Sequence, residues 1–93
     1  MVRIADGKIY HYDRKIGWLE GQHVHNEEDG KVLGYWENES VYGAGGHRIA
    51  YIHEDDFVYA SGRVAGSLEH INEQIHGGAS ILAKCAVKVL FDL

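Results

Sequence analysis

Residues 39–55 read ESVYGAGGHRIAYIHED, and this stretch decides how the rest of the chain is read. A short apolar arm, Ser40-Val41-Tyr42, leads into a glycine-rich turn, Gly43-Ala44-Gly45-Gly46. A second arm, Arg48-Ile49-Ala50-Tyr51-Ile52, then runs to an acidic corner at Glu54-Asp55. Two β-prone arms about a cluster of glycines predict a hairpin, because glycine reaches the positive φ that tight turns need.

Working outward, the same order recurs. The first arm reappears as Ile9-Tyr10, Val24-His25, Val41-Tyr42 and Val58-Tyr59, at spacings of 15, 17 and 17 residues. The second reappears as Ile16-Gly17-Trp18, Leu33-Gly34-Tyr35, Ile49-Ala50-Tyr51 and Val64-Ala65-Gly66. Each turn hands over to a basic residue, and each unit closes on a carboxylate: Glu20, Glu37, Glu54 and Glu69. Gly17, Gly34, Ala50 and Ala65 make one column. Small residues weaken a strand interior unless another group must come close. That column predicts close approach, with Trp18, Tyr35 and Tyr51 expected to bring rings to three of the contacts. The expected fold is mainly β with one C-terminal α-helix. It has about eight strands in four pseudo-repeated β-hairpins (petals) around an axis.

The 93 residues predict one domain, with hairpins over about 8–70 and a tail over 71–93. Twelve glycines and no proline suit a chain of tight turns. The formal charge of −5, with nine basic residues scattered along the chain, argues against a nucleic-acid partner. A single cysteine, Cys85, leaves no intramolecular disulfide and is compatible with a reducing cytoplasm. The first residues show no apolar signal region, and no stretch reaches the ~18 apolar residues of a membrane span. A cytoplasmic protein with no membrane partner is expected.

In the tail, Leu68, Ile71 and Ile75 are spaced as on a helix, so a turn or two is expected over His70–His76, broken at Gly77-Gly78. A longer helix follows over Ala79–Leu90, with Ser80 as N-cap. Ser80, Lys84, Lys88 and Asp92 form one narrow polar stripe; the remaining positions from Ile81 to Phe91 are apolar. So wide an apolar surface predicts burial on two sides, once by the hairpins and once by a second copy of the chain. Leu82, Ala86, Val89 and Leu90 are the expected interface of a homo-oligomer, most simply a dimer.

Four pieces of the chain resemble a known group. Gly7–Leu19 (GKIYHYDRKIGWL), Asp29–Trp36 (DGKVLGYW), Ser61–Leu68 (SGRVAGSL) and the IHGGAS of Ile75–Ser80 are similar to units of the bacterial four-fold β-flower family. The resemblance implies four hairpin petals about an axis and a C-terminal helix, and it brings no established activity. Gly66, where a ring is expected, and a first turn without glycine at Asp13-Arg14-Lys15 depart from the pattern.

Seven histidines are many for this length. His23 and His25 alternate on a strand and can share a metal ion with a third ligand such as His11. The acidic corners are where solvated turns carry charge, and Gly43–Gly46 lacks the Lys-Ser/Thr of a phosphate loop. Tyr10, His25, Tyr42 and Tyr59 form the column best suited to a ligand surface. No cofactor is expected. The function expected is a small non-enzymatic binding or assembly module that self-associates and engages another protein or a small molecule. The alternative is a metal-assisted hydrolase built on His23 and His25.

Overall fold

A computed structural model describes all residues, 1–93. Ten strands form one open sheet: β1 (Val2–Ala5), β2 (Lys8–His11), β3 (Arg14–Glu20), β4 (His23–Asn26), β5 (Val32–Glu37), β6 (Ser40–Gly43), β7 (Arg48–His53), β8 (Asp56–Tyr59), β9 (Val64–Ser67) and β10 (Ile75–Gly77). Two helices accompany it, α1 (Leu68–Gln74) and α2 (Ile81–Leu90). Neighbouring strands from β1 to β9 are antiparallel, and β10 returns to lie parallel to β1, with Val2 opposite Ile75. The expected mainly β fold with a C-terminal helix is present. The terminal strands β1 and β10 went unread, because each is too short to show a period by itself and exists by pairing, β1 with β2 and β10 with β1.

The register of four hairpins has a feature in common. In the hairpins β2–β3, β4–β5, β6–β7 and β8–β9 a bulge follows the same position: after Ile9, Val24, Val41 and Phe57. These four side chains are fully buried, and they stand opposite Gly17, Gly34, Ala50 and Gly66. The fourth unit is therefore one residue away from its sequence reading. Phe57, not Val58, is its buried arm residue, and Gly66, not Ala65, is its small residue. Gly66 is no missing ring.

The small column seats the helices. A Cβ added at Gly34 would strike the Tyr42 carbonyl oxygen and lie 2.8 Å from Leu90 Cδ2. One added at Gly17 would strike the His25 carbonyl oxygen and lie 2.7 Å from the Phe91 ring, and Gly66 lies under Ile71 of α1. The rings of Trp18, Tyr35 and Tyr51 do not fill this column. They are next in sequence to it, and adjacent strand residues point to opposite faces.

Chain connectivity dictates a curved sheet. Laid flat, ten strands would hold β10 and β9 about 43 Å apart, at about 4.8 Å per spacing. The link between them is α1, whose seven residues span about 10 Å. The Cα envelope measures 31 × 29 × 19 Å, so the sheet curls until one short helix bridges its edges. On the concave side α2 packs across β4, β5 and β6 and against α1. Ala83, Lys84, Cys85, Ala86 and Val87 are buried in succession, a run that only a helix covered all round can show.

Candidate functional site: the outer face of the sheet

With the aliphatic side chains and helices on the concave face, alternation leaves the polar and aromatic residues outside. The four bulges offset each hairpin against the next, so directly opposed outward residues line up as diagonal ladders. One runs Arg3–Tyr10–Lys15. The next runs Lys8–Trp18–His25–Val32. Two of five residues follow, Glu20–His23–Tyr35–Tyr42–Arg48 and Glu37–Ser40–Tyr51–Val58–Val64.

Opposed rings interact strongly across strands. Trp18 and His25 stack with centroids 4.8 Å apart and planes within 7°. Tyr35 and Tyr42 stack at 5.0 Å and 13°, and His23 tilts against Tyr35 at 5.6 Å. Cations occupy further ring faces: Arg3 lies 4.4 Å from the Tyr10 centroid, Lys15 5.5 Å from Trp18 and Arg48 4.4 Å from Tyr51. His25 Nδ1 donates to the Gly30 carbonyl oxygen at 3.2 Å, which leaves Nε2 as the acceptor of the neutral ring. Tyr10, Trp18, His25, Tyr35, Tyr42 and Tyr51 are all half-buried. They stand as packed rungs and offer edges to solvent: phenol hydroxyls, an indole N–H and imidazole nitrogen.

Of the expected ligand column, Tyr10, His25 and Tyr42 share this face. Tyr59 does not. It stands opposite Ala50, packs on the core and carries Arg63 over its ring at 4.7 Å. The one-residue register shift in the fourth unit puts Val58 in the ring position instead. Sequence reasoning missed that Trp18, Tyr35, Tyr51, Arg3 and Arg48 belong to the same surface. Strand alternation carried that signal once the column was set.

The histidine pair has no third partner. No group of three or more His, Cys, Asp or Glu side chains is placed to hold a metal ion, and His11 lies with Tyr12 and Arg14 at another turn. Cys85 is buried, and desolvation pushes its thiol up to about 12, with Lys88 pulling the other way. Two open clefts of about 430 and 470 Å³ flank the Lys15–Glu27 ion pair, 3.2 Å long, on the rim of the sheet.

The expected interface residues differ among themselves. Ala86 is fully buried inside the chain, whereas Leu82, Val89 and Leu90 are half-buried. Of the polar stripe, Ser80 and Asp92 are exposed and the two lysines are turned inward: Lys84 Nζ donates to Asn72 Oδ1 at 2.8 Å, and Lys88 Nζ to Gln74 Oε1 and the Leu93 carbonyl oxygen at 3.0 Å. Helix α1 thus covers the side of α2 that carries its lysines. No helix is long and apolar enough to cross a membrane. No protein-family model, curated protein or solved structure matches the chain.

Proposed function

We propose that this chain is a small non-enzymatic binding module whose working surface is the outer face of its sheet. The observation that carries it is the ring array, in which Trp18–His25 and Tyr35–Tyr42 are held rigid and half-exposed among Arg3, Lys15 and Arg48. Tyr, Trp and Arg anchor interfaces because they present large contact area with polar tips. Rungs fixed by their neighbours lose little side-chain freedom on binding. The motifs resembling the β-flower family and the single cysteine fit such a module in a bacterial cytoplasm.

Amide shifts of isotope-labelled protein, titrated with panels of acidic and basic peptides, oligosaccharides and nucleotides, test the surface. Perturbations concentrated at Tyr10, Trp18, His25, Tyr35 and Tyr42 are expected. Shifts confined to other residues, or none with any class, would overturn it.

Self-association is the second reading, favoured by one observation. Leu82 and Val89, both half-buried, lie seven residues apart on α2 and so share one seam along it.

A further inference from the structure

On the outer face Arg3 and Arg48 stand beside the rings, whereas Glu20 and Glu37 occupy the first rungs of their ladders at the opposite turns. Lys8 and Lys15 share a cleft beside Trp18 with Asp6 and Glu27. Lys15–Glu27 is the one ion pair of the chain, although fourteen carboxylates are available to nine basic residues. Arg3 and Arg48 are exposed and rest on tyrosine rings, with no carboxylate within 4.0 Å. A guanidinium parked on a ring keeps its N–H donors free for an incoming oxygen. Between these two arginines the tyrosine hydroxyls and the Trp18 N–H add neutral donors.

We infer that this field binds a carboxylate-bearing, extended segment of a partner protein, with acidic side chains received at Arg3 and Arg48. The partner class rests on the outer face being the working surface. From β1 to β7 the arc is roughly 29 Å, the reach of about nine extended residues. Nucleic acid fits less well for two reasons. Single strands bind by stacking bases on open ring faces, and here the faces are covered by other rings and by cations. A continuous phosphate backbone would also run into Glu20 and Glu37, whereas a peptide can place its few carboxylates over the cations alone.

The test is fluorescence anisotropy of a labelled nonapeptide of alternating Glu and Leu, beside labelled oligothymidylate and an uncharged Gln-Leu nonapeptide. Salt-sensitive binding of the acidic peptide alone is expected, weakened at least tenfold by Arg3→Glu with Arg48→Glu. The charge-matched control, Lys31→Glu with Arg63→Glu, leaves both receiving arginines in place and should keep affinity within about twofold. Equal loss in both variants would reduce the effect to net charge and overturn the inference. So would no binding at low salt, or binding of oligothymidylate as tight as that of the peptide. The amide-shift titration separates the two levels. Shifts on the ring face with a different ligand class overturn only the acidic partner, and silence there with every class overturns the working surface as well.

Discussion

Gly17 and Gly34 show how a single missing side chain positions a helix. Each lies in a strand interior, where glycine costs roughly 0.5–1 kcal/mol relative to alanine. Each is nevertheless required, because a Cβ would meet both a neighbouring carbonyl oxygen and a side chain at the end of α2. Gly34→Ala is therefore expected to destabilise by about 1–3 kcal/mol through overpacking. Ala44→Ser, exposed in the β6–β7 turn, should stay within about 0.5 kcal/mol of wild type. Urea titration of both variants decides the matter, and matching midpoints would remove the close-approach account. The small column was legible in the sequence because glycine has no other reason to recur inside strands. Its fourth member was not. Ala65 and Gly66 are both small, and which of them faces the core depends on the bulge after Phe57, a backbone event with no residue signature of its own.

Among elements, α2 divides into a part that local chemistry fixes and a part that only packing fixes. Its start was readable: the Ser80 hydroxyl accepts from the Ala83 N–H at 3.2 Å, the pattern of an N-cap. Its surroundings were not, because Lys84 and Lys88 read as solvent-facing until a second helix is known to sit on them. With α1 in place, Lys84 is 4% exposed and Cys85 lies wholly inside. The buried thiol is pushed up from 9.0 to about 12. Between those values the unfolded chain has released its proton and the folded chain has kept it. Stability must then fall as pH rises from about 9, by up to about 1.4 kcal/mol per unit from this one group. Cys85→Ala removes the group, so the difference in urea midpoint between the two proteins should narrow steadily from pH 8.5 to 10.5. A difference that stays constant across that range would show that the thiol ionises freely in the folded state.

At the scale of the whole molecule, the question is whether one copy suffices. The radius of gyration, 12.0 Å, matches the ~12 Å of a compact 93-residue chain. No residue of α2 is exposed, so the helix does not require a partner to be covered. What favours a partner is the placement of its residual apolar area. Leu82 and Val89 fall on one seam, two turns apart, and a twofold axis lets the same seam cover itself. The pairing would place α2 seams together and leave the ring-bearing outer face of both sheets free, so binding and assembly would not compete. Light scattering at micromolar concentration is expected to give about twice the 10.4 kDa chain mass. Leu82→Glu with Val89→Glu should return it to one chain mass with the β-sheet signal intact, since both positions already border solvent. Ala86→Glu, by contrast, would place a charge in a fully buried site and should unfold the chain rather than split a dimer. A wild-type mass of one chain at a hundred micromolar would mean that the seam is closed by its own sheet, and the dimer would be lost with it.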